Sequence, residues 1–480
     1  MVQKKRKRKA SELELQAEPG CATRPKGQGK EGSKVEAQAG VAELRGGEAE
    51  PPTVEEESCR ARAVASLRRR YLELCGELQL KAASPVFFDK WHCAWLCLAK
   101  MDDGTLRDPL LPMIEDFQVL DQAMVKALAF LPPSRALTLA QRLRAAAERK
   151  AKALPQKLQK LPREGHASLQ MNGDEATLSF EGWQLPISQL HLQKLRALFR
   201  GEGEVAFVDA AFCCLLRYHS VLQKGFQGAC TEEVFQALLE TFDVRFECFA
   251  SPLNCRYRWM CSAFPDTDSV FGSLGSFFAQ TFVSGSFQLN PPFVDDIVIS
   301  MVERLDEQLA AAEAQKSCLT FVVIVCANSG SRSGSAALQA LCASTFLRAQ
   351  VSVPKGTHQY FDGEQHLNQQ SRPSPCETGV FVLQSRKAAR RNPATALKME
   401  RIKESFALEK GISPEVLECC DSFLRVPQVR GASLNVAHAA AICLYELGRH
   451  LPASVMEKIR PLACFACGCA LGSQPQGGKE

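Results

Sequence analysis

The sequence predicts an α/β fold. A region of helices comes first in the chain, and a β-sheet with intervening helices follows it. Short apolar runs typical of buried strands lie between turn residues, at 244–249, 286–289, 320–326 and 378–384. Apolar stretches with helical spacing separate some of these runs, as at residues 294–309, and this alternation is typical of an α/β sheet. Upstream, apolar residues recur at spacings of three and four, which indicates helices: Leu67, Tyr71, Leu74 and Leu78, then Leu139, Leu143 and Ala147.

The composition indicates a folded protein of roughly two or three domains. The chain has 480 residues, of which 46% are hydrophobic, so it can bury a sizeable core. It contains no apolar run near the ~20 residues of a membrane span, and its basic N-terminus lacks the apolar stretch of a secretory signal. No membrane association is therefore expected. The 21 cysteines are scattered, often beside apolar residues, and are interpreted as small buried hydrophobes in a reducing compartment.

Residues 1–58 are predicted to form a disordered tail. They are rich in Gly, Glu, Ala, Lys and Pro, have hardly any aromatic residues, and cannot bury enough apolar area to offset the entropy of ordering. The basic run Lys4 to Lys9 is interpreted as a nuclear-import signal, so a nuclear location is expected. The alternative is a solvated tail that binds nucleic acid without specificity.

Residues 59–170 are predicted to form a helical domain whose last helix is strongly basic. A net charge of +5 is too small to identify an acidic partner, so any indication of such a partner has to come from local clusters of positive charge. The one-sided charge of this helix favours contact with RNA phosphates, although a charge run is also typical of a solvated face. The candidate residues are Arg142, Arg144, Arg149, Lys150 and Lys152, together with Arg386 and Lys387 in a further cluster that follows the last predicted strand.

Two loops that leave predicted strands are the candidate site. In open α/β sheets ligands bind beyond the carboxyl ends of the strands, so chemistry is expected in such loops. The first loop is Phe249–Asn254, and the second consists of Asn290, Pro291, Pro292 and Phe293. Taken alone, Asn-Pro and Pro-Pro are also ordinary turn dipeptides.

The longer peptides around these loops resemble one enzyme family. Residues 207–293, and within them residues 247–254 and 261–268, closely resemble the cap-specific adenosine N6-methyltransferases, also called the phosphorylated-polymerase-tail-interacting factor family. The resemblance is traceable to residues 379–384. It implies that residues 171–395 form a Rossmann-like methyltransferase domain that uses S-adenosyl-L-methionine and packs on the helical domain. The implied substrate is the first transcribed adenosine beside the capped 5′ end of mRNA.

In this family the Asn-Pro-Pro-Phe loop is catalytic, which implies that role for Asn290, Pro291, Pro292 and Phe293. The Asn290 side-chain oxygen and the Pro291 carbonyl can each accept one N6–H bond, which points the lone pair of the amine at the methyl donor. Phe293 can stack on the adenine. Two other interpretations stay open: N6-adenine methylation of DNA or of internal RNA sites, and a catalytically silent RNA-binding scaffold.

The donor is expected to bind the first loop and the acidic residues after the 261–264 peptide. The candidates are Phe249, Ala250, Ser251, Pro252, Asn254, Asp266 and Asp268. A carboxylate suits the ribose hydroxyls or the methionine amine of the donor, and the equally weighted alternative is capping or turn formation.

Two departures from the family pattern lead to further expectations. Vertebrate members carry an N-terminal WW module that binds the phosphorylated tail of RNA polymerase II, but the first 60 residues of this chain contain no tryptophan. The WW module is therefore predicted to be absent, and binding to the polymerase tail is not supported. Residues 327–335 are rich in Ser and Gly and do not match the family's polar-aromatic loop, so cap selectivity is open.

Residues 396–480 are predicted to be a separate C-terminal segment. Residues 411–417 and 431–440 resemble the second half of SPOUT-class RNA 2′-O-methyltransferases, and Ser433, Leu434 and Asn435 match a donor-binding loop of that class. The first half has no counterpart, which favours a degenerate appendage or a gene-model fusion. Cys464, Cys467 and Cys469 lack a clear fourth ligand, so no metal site is predicted.

Overall fold

The computed structural model describes residues 41–44, 50–80, 84–100, 108–221, 228–327, 335–361, 363–368 and 371–407. These residues belong to one compact unit that spans Met1–Leu408. The predicted import signal at residues 4–9, the SPOUT-like peptides and the cysteines at 464–469 lie outside the described residues.

Four helices form the first part of the fold: α1 (Val54–Glu77), α2 (Pro85–Lys100), α3 (Val119–Ala127) and α4 (Pro133–Leu158). Helix α1 begins at a capping box, in which Thr53 accepts from the Glu56 backbone N–H and the Glu56 side chain accepts from that of Thr53. The predicted apolar stripes are buried in both α1 and α4. The expectation of helices in this part of the chain is therefore confirmed.

The end of the predicted disordered tail is ordered, which corrects the boundary at residue 58. A short strand β1 (Val41–Leu44) pairs with a later strand, and α1 already begins at Val54. Two acidic residues within the predicted tail, Glu55 and Glu57, are both buried. Glu57 pairs with a buried arginine far along the chain, which the local composition does not reveal.

A small antiparallel sheet and two helices follow: β2 (Ser168–Asn172), β3 (Glu175–Phe180), β4 (Trp183–Ser188), α5 (Gln189–Leu198) and α6 (Glu204–Val221). The β2–β3 hairpin turns at Gly173, whose φ of 61° is easily adopted only without a Cβ. The apolar residues of this sheet and of α6 share one core with helices α1 to α4.

A six-stranded mixed sheet forms the second part of the fold. Its spatial order is β10 (Leu347–Val353), β13 (Thr378–Gln384), β9 (Leu319–Cys326), β8 (Gly285–Leu289), β5 (Glu247–Ala250) and β6 (Met260–Ser262). Strands β6, β5, β8 and β9 are parallel, whereas β13 is antiparallel to both β9 and β10. The four predicted strands are confirmed as β5, β8, β9 and β13.

Helices cover both faces of this sheet. The helices of this part are α7 (Glu232–Phe242), α8 (Pro265–Asp268), α9 (Asp295–Ala314), α10 (Ala336–Ala343), α11 (Arg386–Arg391) and α12 (Ala396–Ser405), of which the short α8 packs on α6 instead of the sheet. The buried strand β9 shows how: Phe321 and Val323 pack with α9 and α10, while Val322 and Ile324 pack with α7 and α12 on the other face. The fold is thus α/β, with a sheet that contains parallel strands. Short strands β7 (Gln280–Phe282), β11 (Gln359–Phe361) and β12 (Ser371–Pro373) lie outside it.

Candidate active site

The two predicted loops meet at one edge of the large sheet. From β5 the chain continues outward to β6, and it later returns to form β8 on the other side of β5. This reversal opens a crevice between the carboxyl ends of β5 and β8, where ligands of open α/β sheets bind. Glu247 of β5 pairs with Gln288 of β8, so the two loops leave the sheet at the carboxyl ends of neighbouring parallel strands. The structure therefore brings the donor-loop and Asn-Pro-Pro-Phe candidates together.

Asn290 lies directly after β8 and is half-buried. Its amide nitrogen donates to the Gly228 carbonyl at 3.4 Å, and no described residue donates to its side-chain oxygen. Pro291 is buried, and the Pro292 carbonyl accepts from the Val294 N–H at 2.8 Å immediately before α9 begins. Phe293 is 50% exposed. The loop therefore offers an amide oxygen that no described donor occupies and an exposed aromatic ring at the crevice.

The contact with Gly228 reveals a part of the site that the sequence analysis missed. Gly228 is followed by Ala229, which exchanges two backbone hydrogen bonds with Phe361 at the end of β11. Strand β11 in turn pairs with β12, so this hairpin is tied to the Asn290 loop through residues 228–229. The motif pattern gave no signal for this contact, because a backbone carbonyl carries no sequence signature.

The Phe249–Asn254 loop makes a tight turn at the end of β5. The Asn254 side-chain oxygen accepts from the Ser251 N–H at 2.7 Å and from its hydroxyl at 3.1 Å. The half-buried Phe249 ring lies 6.0 Å from the ring of Phe278, which is 36% exposed. Phe278 was not predicted as a site residue, because only its contact in space with Phe249 indicates that it belongs to the site. The end of β5 thus presents a rigid turn and two accessible aromatic rings.

Asp266 and Asp268 follow β6 but turn into the protein. Asp266 accepts two hydrogen bonds, each 2.8 Å, from the fully buried Arg217 of α6. Asp268 has no exposed surface and accepts from the Tyr218 hydroxyl at 2.5 Å and from the Thr267 hydroxyl at 2.9 Å. Burial raises the pKa of Asp268 to about 6. These contacts favour the structural alternative over donor binding for both aspartates.

The predicted basic residues of α4 fall into two groups. Arg142, Arg144 and Lys152 form ion pairs with Glu77, Asp121 and Glu148, at 2.5, 3.1 and 2.7 Å. Arg149 and Lys150 instead line a groove between α1 and α4, and no ion pair joins them to a carboxylate among the described residues. The structure therefore separates a set that the sequence analysis treated as one surface.

Arg386 and Lys387 lie near the end of the sheet opposite to Asn290, where β9 begins. Because β13 is antiparallel to β9, its final residue Gln384 pairs with Thr320 at the beginning of β9. Asn290 lies beyond the carboxyl end of β8, whose Leu289 pairs with Val323 further along β9. Arg386 is also held by Glu313 of α9 at 3.3 Å. The structure therefore does not bring these two predicted RNA contacts to the Asn290 loop. The prediction failed because the direction of β13 could not be inferred from the sequence.

A pair of cysteines lies near the same carboxyl edge as Asn290. Cys326 ends β9, and Cys376 precedes β13, whose Thr378 pairs with Cys326. The hydrogen bond from the Cys326 thiol, together with the Ser374 hydroxyl and the nearby Lys355 charge, outweighs burial and lowers the pKa of Cys376 to about 6. Both residues are half-buried rather than sealed.

Cys376 is therefore expected to be alkylated by iodoacetamide at pH 7, because most of its thiol is ionised there. The rate should follow a midpoint near the pKa of about 6, and Cys326→Ala should move that midpoint upward. Peptide mass spectrometry after timed alkylation measures this, with the fully buried Cys214 as the unreactive internal reference. A midpoint near the ordinary thiol value of roughly 8.5 in the unaltered protein would contradict the assignment.

Within the ranges that the structure describes, no group of three or more His, Cys, Asp and Glu side chains has the arrangement of a metal site. No helix in the same ranges is long and apolar enough to span a bilayer.

Comparison with known families gives a match at the centre of this chain. Residues 194–363 match the family model described as the Phosphorylated CTD interacting factor 1 WW domain. This range includes the crevice, the Asn290 loop and residues 207–293, where the sequence resemblance was strongest. The resemblance to that family is therefore confirmed for this part of the chain.

Curated relatives agree with the family match. The human protein named mRNA (2′-O-methyladenosine-N(6)-)-methyltransferase is 34% identical over 210 residues, which are 42% of this chain and 29% of the relative. The mouse protein of the same name is 35% identical over 201 residues, covering 40% of this chain and 28% of the relative. The chain thus spans less than a third of the length of either relative.

The expectation about the WW module is contradicted. The predicted absence, and with it the statement that binding to the RNA polymerase II tail is unsupported, rested on the lack of tryptophan in the first 60 residues. The WW-domain family model matches residues 194–363 instead, in the middle of the chain. The first 60 residues lie outside that match, so their lack of tryptophan does not bear on it.

Proposed function

We propose that this protein transfers the methyl group of S-adenosyl-L-methionine to the N6 amine of adenosine in RNA. The proposed substrate is a 2′-O-methyladenosine of mRNA, as the names of the human and mouse relatives suggest, and the sequence resemblance implies that this nucleotide lies beside the cap. The observation that carries the proposal is the position of Asn290, which lies beyond the carboxyl end of β8, beside the Phe249 loop, with a side-chain oxygen that no described donor occupies.

The topology supports a Rossmann-like methyltransferase domain within residues 171–395. The parallel strands run in the spatial order β6, β5, β8, β9, so the order reverses between β5 and β8, and helices cover both faces. We further propose that α1 to α4, residues 54–158, act as a helical domain that packs on α6 through the ion pair between Glu57 and Arg217.

The crevice has the features that the methyl donor requires. The half-buried Phe249 and Ala250 at the end of β5 and the exposed Phe278 ring offer aromatic and apolar surface for an adenine. The turn from Ser251 through Pro252 to Asn254 is stiffened by its own hydrogen bonds and would hold the polar end of the molecule. Asp266 and Asp268 are left out of this binding surface because their oxygens are engaged internally. The donor supplies an electrophilic methyl group bound to a positively charged sulfur.

The protein's contribution to the reaction is orientation rather than strong base catalysis. The adenine N6 amine donates one hydrogen bond to the Asn290 side-chain oxygen and one to the Pro291 carbonyl, which leaves its lone pair pointing away from both acceptors. The Asn290 amide nitrogen, held by the Gly228 carbonyl, keeps that oxygen in place. Phe293 stacks on the purine, and the extra proton of the methylated amine leaves to water.

A methyl-transfer assay with three substrates tests this proposal and its alternatives. Capped RNA, uncapped RNA and single-stranded DNA, each beginning with adenosine, are compared by transfer of labelled methyl groups. Preference for capped RNA supports the cap-adjacent substrate, and equal transfer to all three would contradict it. RNA binding without transfer to any substrate would instead identify a catalytically silent scaffold.

Deleting residues 409–480 is expected to leave methyl transfer detectable, since the loops proposed for catalysis lie upstream. The cut has to follow residue 408, because Ile402 and Phe406 are buried in the core beside α7 and a cut at residue 400 would expose that core. Methyl transfer per folded molecule is measured, with solubility and circular dichroism as controls. A folded truncation without activity would show that the C-terminal segment contributes to the reaction.

A further inference from the structure

Helices α1 and α4 enclose a groove of about 610 Å³ on the surface of the helical region. Small side chains are among its lining residues, including Ala63 and Ser66 from α1 and Ala146 and Ala153 from α4. Because these side chains are short, a bound chain can approach both helices closely. The groove lies outside the Asn290 crevice and has no part in the proposed chemistry.

Positive charge lines both sides of the groove: Arg62 and Arg70 belong to α1, and Arg149, Lys150 and Lys157 belong to α4. Arg62 pairs with Glu181 at 2.6 Å, and Arg70 pairs with Glu73 and Glu77 at 3.0 and 2.9 Å.

The three cations of α4 have no such partners. Among the residues that the structure describes, no ion pair joins Arg149, Lys150 or Lys157 to a carboxylate, although Arg142, Arg144 and Lys152 on the same helix are all paired. Burial and the nearby charges of Lys157, Arg69 and Arg149 lower the pKa of Lys150. The groove therefore concentrates like charges whose repulsion an anionic ligand would relieve.

We propose that the groove between α1 and α4 binds the phosphodiester backbone of the RNA strand, with Arg149, Lys150 and Lys157 as its phosphate contacts. This inference rests on the proposed RNA substrate and adds a second contact with it. Extended RNA suits the site because the five cations follow the groove along both helices rather than surrounding a single point. Arg62 and Arg70 lie about 12 Å apart along α1, at 1.5 Å per residue, so the charge is spread over several residues of length. Contacts of this kind position a strand without reading its bases.

The test compares two triple variants that remove the same charge from the same helix. The groove variant is Arg149→Gln, Lys150→Gln and Lys157→Gln, and the matched control is Arg142→Gln, Arg144→Gln and Lys152→Gln. Affinity for a single-stranded RNA of about 20 nucleotides is measured at several salt concentrations. Each phosphate contact contributes roughly 0.7 to the salt slope, so the groove variant should lose about 2 and the control should keep the unaltered slope. Thermal melts establish that both variants fold.

Equal slopes in the two variants, or an unchanged slope in the groove variant, would overturn the proposal. It would also be overturned if the groove variant kept its RNA slope but lost binding to an acidic phosphopeptide, since the occupant would then be a peptide. Failure of the proposed function can be distinguished from failure of the groove proposal, because a protein that transfers no methyl group can still show the difference in salt slope between the two variants. Conversely, normal methyl transfer with unchanged slopes would refute the groove alone.

Discussion

Asn290→Ala is expected to lower the turnover of methyl transfer by about 100-fold or more while leaving the fold intact. Removing one preorganised hydrogen-bonding group from an active site typically costs about 10²- to 10³-fold in rate. Asn290 is half-buried at a loop, and its amide makes one hydrogen bond of 3.4 Å, so its loss removes little packing. Single-turnover methyl transfer to capped RNA measures the effect, and a thermal melt verifies folding.

Two companion variants separate the roles within the loop. Phe293→Ala should weaken RNA binding, since a base–aromatic stack is worth roughly 1–3 kcal/mol and Phe293 is 50% exposed. Asn290→Asp keeps an acceptor oxygen but loses the N–H that bonds Gly228, so it should retain more activity than the alanine variant. Near-normal turnover of Asn290→Ala would remove the loop from the mechanism.

Hydrophobic pattern predicted the central elements of the fold because burial determines them. All eight residues of β9 except the last are buried, and this continuous apolar run identified the strand without information from elsewhere in the chain. The same holds for β13, which is buried throughout. Strands that are fully covered on two faces carry this signal within their own few residues.

Elements that depend on distant partners were missed. Strand β6 has only three residues, and β10 alternates half-buried with exposed positions at the edge of the sheet. The antiparallel direction of β13 also has no local signature, and it is this direction that moves Arg386 away from the candidate site. Pairing partners and direction arise from tertiary contacts, which a single sequence shows only indirectly.

The candidate site was predictable where the proposed chemistry lies in one short peptide. Asn290 to Phe293 were identified as a unit, and the structure places them beside the predicted Phe249 loop. Asp266 and Asp268 were assigned by residue type alone, and their true neighbours lie about 50 residues earlier on α6. A carboxylate near a loop is equally suited to a ligand or to a buried arginine, and only the fold distinguishes the two.

Arg217→Met is expected to destabilise the protein by about 3–5 kcal/mol, the usual cost of removing one partner of a buried ion pair. Arg217 has no exposed surface and donates two hydrogen bonds to Glu57 at 2.7 Å and two to Asp266 at 2.8 Å. It thereby joins α1, α6 and the segment after β6. Without the guanidinium, two carboxylates would stay in the interior with insufficient compensation. Denaturant unfolding followed by circular dichroism measures the loss.

The same variant should recover stability when its stranded carboxylates are neutralised. Adding Glu57→Gln and Asp266→Asn to Arg217→Met should restore part of the loss, whereas Arg401→Met, at an exposed ion pair with Glu240, should change stability little.

The stability of the variant should also depend on pH. In the unaltered protein, burial opposes the charge of Asp266, but Arg217 outweighs burial and lowers the pKa of this carboxyl. The stabilisation that the ionised Asp266 contributes therefore persists above its unfolded pKa of roughly 3.9 and is lost only below that value. Without Arg217, burial should raise the pKa of Asp266, so the deficit of the variant should shrink between pH 8 and pH 5 as this carboxyl protonates. A deficit that stays constant over that range would mean that lost packing, rather than uncompensated charge, accounts for the destabilisation.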